Sequence, residues 1–529
     1  MKAVSKRMGA AQLLLLAFFV IAVILPVARM LVYMVDTDVA KLLTSDSFTK
    51  ALLNSLAVSA TTTLIAVLLA WGLAWCVVRS NIRFKGLFAI LFILPMLIPS
   101  ISHGMGLVVL FGANGVVTNL LSLSSNIYGF WGIVIGSLMY SFPVAYLMIS
   151  EVLRFEDSSP YEAAVVLGIS KPRQITAIAF PYLRKPLVVT AFAVFTLVIT
   201  DYGVPLMVGG QYTTLPVMLY QDVIGLLDFG KGSAIGMVLL IPAVISFLID
   251  LLNKDKGNTT YVTKPFRIAK NTPRDVFATI VCFAVGLFVL LPIVAFAILT
   301  FVKKYPSDMS FTLDNITRTF NMQAGTYLAN SLLIAVCVAA IGVVVAIVTA
   351  YLTARVPGRL PKSLHLFSIT SLAIPGIVLG LSYVLFFKGS FIYGTLAILM
   401  LVNMVHFFAS PYLMMYNAFS KMNKNLEAVG ATLGVSRLRI ILDVFLPQTK
   451  STIAEMFSYF FVNSMMTISA VSFLATVSTR PLSLMITTFE AQMMLEGAAF
   501  VSLLILAINL LLKGGINLYK SRMQKKEAA

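Results

Sequence analysis

The sequence predicts an all-α polytopic membrane protein, with about twelve transmembrane helices arranged as two parallel six-helix repeats. Three observations carry this. Of the 529 residues, 59% are apolar and only 11% charged, where a soluble globular chain carries about 25% charged residues. At ~20–25 residues per span plus connections, the length accommodates about a dozen helices and leaves little for a soluble catalytic domain. Short motifs also recur between the two halves at a nearly constant offset.

Apolar runs bounded by charges and turn residues fall at 11–33, 52–78, 87–111, 129–150, 187–208 and 234–252, and again at 277–302, 327–353, 365–387, 391–416, 452–476 and 498–517. The first follows Lys2, Lys6 and Arg7 as a signal peptide would. No small-residue cleavage site comes after it, so it is expected to remain as a helix. The net charge of +18 would suggest nucleic acid in a soluble protein. Here it sorts by loop: alternate compartments hold 30 of the 39 Lys and Arg residues. That is the positive-inside pattern, with both termini cytoplasmic, and no nucleic-acid partner is implied. Cys76, Cys282 and Cys337 lie in apolar runs without metal-site or disulfide spacing.

With six helices in each half, both halves enter the bilayer the same way round, so a duplication should be parallel. Asn54-Ser55 recurs as Asn330-Ser331 and Pro99 as Pro375, each at an offset of 276; Pro143 recurs as Pro411, Gly168 as Gly434 and Pro216 as Pro481 at 265 to 268. The expected units are a first half at 1–252, a polar and basic linker at 253–276 that needs no fold of its own, and a second half at 277–529.

Two cytoplasmic loops, 151–186 and 417–451, are about 35 residues long and occupy equivalent places in the repeat. Recurrent long loops are usually functional. The first contains EAAVVLGISKPRQITAIAFP at 162–181, the second EAVGATLGVSRLRIILDVFLP at 427–447. Small residues allow close packing, Gly168 and Gly434 break the first short helix, and Ser170 and Ser436 can cap the next. Pro181 and Pro447 are expected to end that second helix before the chain re-enters the membrane. Arg173 and Arg439 add positive charge to a helix-turn-helix suited to the groove of a soluble partner.

These loops resemble those of the membrane subunits of binding-protein-dependent ABC importers, whose pattern is E-A-A, three residues, G, nine residues, I, one residue, L-P. Glu162, Ala163, Ala164, Gly168, Ile178 and Pro181 match it, with Phe180 for Leu. In the second copy Ala428, Val429 and Gly430 occupy the E-A-A positions, Glu427 stands one residue early, and Val444 replaces Ile. The resemblance implies a type I importer permease fold with an extra, peripheral first helix. It implies coupling through Glu162, Ala163, Ala164, Gly168, Arg173 and Pro181 in one loop and Glu427, Gly434, Arg439 and Pro447 in the other. The partners would be a homodimeric ATPase, which binds ATP and Mg, and an extracytoplasmic solute-binding protein, in a bacterial inner membrane. This chain itself is expected to be no enzyme and to hold no cofactor. Because the first motif is better formed, a bulky residue at Gly168 is expected to uncouple more severely than one at Gly434.

A P-loop-like string runs from Gly225 through Gly230 to Lys231, but Gly232 follows instead of Ser or Thr, no strand precedes it, and it lies outside. Within the spans, Asp201 is the conspicuous acid, followed by Gly203 and Pro205, which can break the fifth helix. It is either part of a translocation path or a structural acid near a helix end. Tyr202 and, in the repeat-equivalent stretch, Asn463, Ser464 and Thr467 complete the path candidates. His103, His365 and His406 have no companions at metal-ligand spacing, so no metal or catalytic residues are assigned.

A secondary transporter also has twelve helices in two parallel halves, but it generally needs more intramembrane charge. For cargo, TDYGVPLMVGG at 200–210, IPGIVLGLSYVLFF at 374–387 and FVNSMMTISAVSFL at 461–474 most resemble 2-aminoethylphosphonate permeases. Iron(III) and thiamine permeases are the alternatives.

Overall fold

A computed structural model describes residues 2–122, 126–252, 264, 266, 268–423 and 425–528. Every predicted apolar run is helical over most of its length. Met8–Tyr33, Asp46–Arg79, Phe130–Arg154, Lys171–Ile199, Phe229–Ile249, Thr272–Thr300, Asp314–Ala354 and Leu495–Met523 are each long and apolar enough to cross a bilayer. Five spans depart from the single rods expected, in two related pairs and one unrelated bend.

The expected third helix, 87–111, is two pieces, Lys85–Leu97 and Ser100–Leu120; the ninth is Arg359–Ala373 and Gly376–Phe387, bent by 108°. Both break before a repeated proline. A residue preceding proline is forced out of the helical region, and Ile98 (φ −124°, ψ 151°) and Ile374 (φ −120°, ψ 112°) are extended. The tenth helix bends by 51° between Leu396–His406 and Ala409–Lys421. Pro411 has no N–H for the Phe407 carbonyl four residues earlier, which weakens the ladder there.

The fifth and eleventh runs also stop early. The fifth helix ends at Ile199 and a short helix, Gly203–Val208, follows. Pro205 leaves the Asp201 carbonyl without its helical donor. The eleventh, Lys450–Met466, ends where Thr467 turns extended, so 467–476 is not the helix expected.

The duplication is visible as repeated chemistry. The Ser55 hydroxyl accepts from the Leu215 amide at 2.8 Å and Ser331 accepts from Leu482 at 2.7 Å. Asn54 donates to the Thr213 carbonyl and Asn330 to those of Ser478 and Arg480. Each Asn-Ser pair thus ties its half's second helix to the backbone beyond the central break.

The first helix is peripheral, as expected, but it lies on the opposite half. Tyr383 donates to the Ala22 carbonyl at 2.7 Å, Gln12 donates to the Leu352 carbonyl at 3.3 Å, and Phe19 meets Phe408 edge to face at 4.9 Å. Reciprocally, Thr272–Thr300 packs on the first half: Phe283 meets Phe88 at 5.2 Å, and a Cβ on Gly106 would stand 2.6 Å from that of Pro292. The two sequence halves therefore interlock. A small hairpin, Val302–Lys304 with Asp308–Phe311, follows the seventh helix where the sequence signalled only the end of a span.

Candidate functional site

On the basic face, residues 155–170 and, among the described residues, 422–423 and 425–436 build two equivalent corners. Each holds a short helix, Ser159–Val166 or Leu426–Thr432, closed by glycine at φ +69°. The closing hydrogen bonds are the same pair in both copies. Ile169 and Gly168 amides donate to the Ala164 and Val165 carbonyls, and Val435 and Gly434 amides donate to Gly430 and Ala431. This is the Schellman arrangement, in which a left-handed residue satisfies the last carbonyls. Small residues are required where the corner folds back: Ala164 is buried, and a side chain on Gly430 would collide with Ile440.

Beyond each corner the chain departs from expectation. Ser436 accepts from the Arg439 amide at 3.3 Å, whereas Ser170 makes no such cap. Pro181 does not end the second short helix. Lys171–Ile199 runs as one helix through a π-helical stretch, Ile175–Ala179, just before the proline. The wider π turn absorbs the missing donor and the ring. In the second copy Ile441–Phe445 does the same before Pro447, and the helix yields only at Thr449. The long loops are therefore mostly helix, with few irregular residues.

Both corners leave apolar side chains bare: Val166 is 87% exposed and Leu433 72%, with Val165, Leu167, Val429 and Leu438 also exposed. Ala163, Arg173, Gly168, Gly434 and Arg439 are exposed beside them, and Arg439 pairs with Asp443 at 3.2 Å.

Each corner is anchored by an arginine that the sequence reading missed. Arg355 makes a two-pronged contact with Glu427, at 2.8 and 2.5 Å, and donates to the Met422 and Asn423 carbonyls. Its equivalent, Arg79, pairs with Glu156 instead, and Tyr161, standing where the repeat has Glu427, donates to Glu156 at 2.6 Å. The displaced acid in the second motif is thus the one that reaches the arginine. Arg79 and Arg355 differ by 276, the offset already visible in Asn-Ser and proline, and that spacing was the available signal.

Glu162 turns outward to Lys264 at 2.7 Å, and that ammonium holds its carboxyl below the ordinary value. The Lys264 carbonyl also accepts from the Ser158 amide, and Phe266 lies under the Arg79 guanidinium, 3.5 Å from centroid to carbon. The described end of the linker is therefore docked on the first corner rather than being free; residues 253–263, 265 and 267 of the expected linker lie outside the described residues.

At the central breaks, the Asp201 carboxylate accepts from the Ser100 hydroxyl at 2.6 Å and from the Val204 amide at 3.0 Å. Through the Val204 amide it ties down the first turn of the short helix after the break. Tyr202 is fully buried, stacks on Tyr220 at 4.8 Å and shares a 2.5 Å hydrogen bond with Ser472 of the other half. The second half also reaches this break, where a Cβ on Gly203 would stand 3.0 Å from the Ile468 side chain. Asn463 donates to its own helix at the Tyr459 carbonyl, Ser464 is buried, and the Thr467 carbonyl accepts from Ser483. In the P-loop-like string, Lys231 pairs with Asp222 at 3.0 Å and opens a helix with no strand before it.

Known sequences agree with this geometry. The family described as "Binding-protein-dependent transport system inner membrane component" matches twice, at 63–255 and 342–525. A candidate ferric transport system permease protein (FbpB 1) of Haemophilus influenzae is 26% identical over 88% of this chain and 77% of its own length. The ferric transport system permease protein FbpB of Actinobacillus pleuropneumoniae is 25% identical over 73% of this chain, which spans 59% of that relative. The thiamine transport system permease protein ThiP of Brucella abortus is 26% identical over 40% of each chain. With the double match falling on both halves and both corners, the chain belongs to the binding-protein-dependent transport system inner membrane components, as a fused, multi-pass ABC transport permease.

Proposed function

We propose that this permease is the membrane path of an ATP-driven importer, and that each corner on the basic face docks in a groove of one subunit of a homodimeric ATPase. The observation that carries the reading is the pair of identically closed helices that leave Val166 and Leu433 bare. Uncovered apolar side chains in water mark an interaction surface. ATP and Mg are held by the partner, and its closure draws the corners together. On this reading the basic face is cytoplasmic, both termini lie on it, and an extracytoplasmic binding protein loads the other mouth. The cargo passes between the central breaks, near Asp201, Tyr202, Asn463, Ser464 and Thr467.

Single cysteines at Val166 and Leu433 should cross-link to the ATPase, while one at exposed Phe391, on the opposite face, should not. Equal cross-linking from all three would reject the docking.

Iron(III) is the leading cargo, supported by relatives named for ferric transport that align over most of the chain. The second reading is 2-aminoethylphosphonate, from the three stretches at 200–210, 374–387 and 461–474; thiamine rests on a shorter alignment. Affinities of the cognate binding protein for the three compounds separate them, and tight phosphonate binding without Fe(III) binding would reverse the order.

A further inference from the structure

A cavity of about 390 Å³ on the basic face lies outside both corners and the central breaks. It is built from both halves. Asn81, Ile82 and Arg83 come from the loop after the second helix, Lys270 from the end of the linker, and Thr272, Asp275, Val276, Thr279 and Ile280 from the start of the seventh helix. Its charges are unbalanced. Asp275 is already occupied, accepting from the Asn81 amide at 2.9 Å and pairing with Arg274 at 2.8 Å. Among the described residues, Arg83 and Lys270 have no carboxylate at ion-pair distance, and both are exposed.

Val276 and Ile280 line the cavity, and the apolar face they stand on continues along the seventh helix. Val276, Ile280, Phe283 and Leu287 are exposed by 52%, 62%, 52% and 65%, and their spacing places them along one face of the seventh helix. An unpaired basic rim directly above an exposed apolar column matches a molecule that is anionic at one end and hydrocarbon at the other. Basic pockets between helices at the membrane surface are suited to phospholipid headgroups. A free phosphate would use the rim alone, whereas a phospholipid would use the rim and the adjoining column together.

We propose that this cavity binds the headgroup of an anionic phospholipid, with its phosphate between Arg83 and Lys270 and an acyl chain along Val276, Ile280, Phe283 and Leu287. Because the walls belong to opposite halves, the lipid bridges them on the basic face. The proposal does not depend on cargo or on the ATPase.

The test uses the full chain in nanodiscs of phosphatidylcholine with added phosphatidylglycerol, with retained lipid read by native mass spectrometry after transfer to neutral detergent. Wild type should retain phosphatidylglycerol in preference to phosphatidylcholine. Arg83→Ala with Lys270→Ala should weaken that retention about thirtyfold through the loss of two basic contacts. The charge-matched control, Arg359→Ala with Lys362→Ala, should retain it. Unchanged retention in the first variant, or equal loss in the control, would overturn the proposal. Competition by millimolar inorganic phosphate as effective as that by phosphatidylglycerol would assign the site to free phosphate and also overturn it.

Discussion

Two arginines at equivalent positions hold the two corners by different means, and burial decides how much each matters. The side chains of Arg355 and Glu427 are 4% and 13% exposed, and those of Arg79 and Glu156 are 9% and 2%. Removing one member of a buried pair strands the other, at a cost of about 3–5 kcal/mol. Arg355→Ala and Arg79→Ala should therefore each lower the unfolding temperature in detergent by several degrees. Lys264→Ala, at an exposed pair, should leave it unchanged. Equal stability across all three variants would contradict the anchoring. The Lys264–Glu162 pair has a pH dependence of definite sign: the folded carboxyl sits below its ordinary value, so the pair holds at neutral pH and is lost as pH falls through that lowered value. The glycines carry no asymmetry of this kind. Gly168 and Gly434 share φ +69°, and a Cβ added to either would meet open space. Gly168 and Gly434 thus do not differ locally, and the two corners differ instead in the anchoring pair and in the linker docked on the first.

At the level of elements, the broken helices meet through glycines. A Cβ on Gly380 would stand 2.7 Å from the Ala470 carbonyl oxygen, a backbone atom, whereas one on Gly104 would stand 2.7 Å from the Met207 Cβ. Overpacking costs about 1–3 kcal/mol when neighbours cannot move. Gly380→Ala should therefore destabilise more than Gly104→Ala in thermal unfolding; the reverse order would show that the second break is the softer one. The spans themselves were legible because hydropathy is a property of the chain in one dimension. The breaks were half legible. Pro99 and Pro375 stand in plain view, yet the 108° bend depends on what the following helix packs against. Pro181 misled for the same reason, since a π turn can carry a helix through a proline and residue identity does not reveal it. Asp201 was marked as unusual by its type alone. Its bond to the Val204 amide is local, but the partner Ser100 is one that only the fold brings near.

Across the whole molecule, each half gives its first helix to the other. No pattern in residues 8–33 announces this, because lipid-facing and protein-facing apolar surfaces look alike in sequence. The exchange makes a prediction about assembly: a protease site placed within 253–263 should yield two fragments that remain together through purification in mild detergent. Dissociation would contradict the interlock.

We propose that the two corners couple ATP hydrolysis in a partner to import. The most direct measurement is cargo uptake and ATP hydrolysis in proteoliposomes containing the permease, its ATPase and its binding protein. Hydrolysis should be stimulated by the loaded binding protein, uptake should require ATP, and both should be lost in Val166→Asp with Leu433→Asp while the membrane fold survives. Uptake that continues without the ATPase, driven by a proton or sodium gradient, would contradict this coupling.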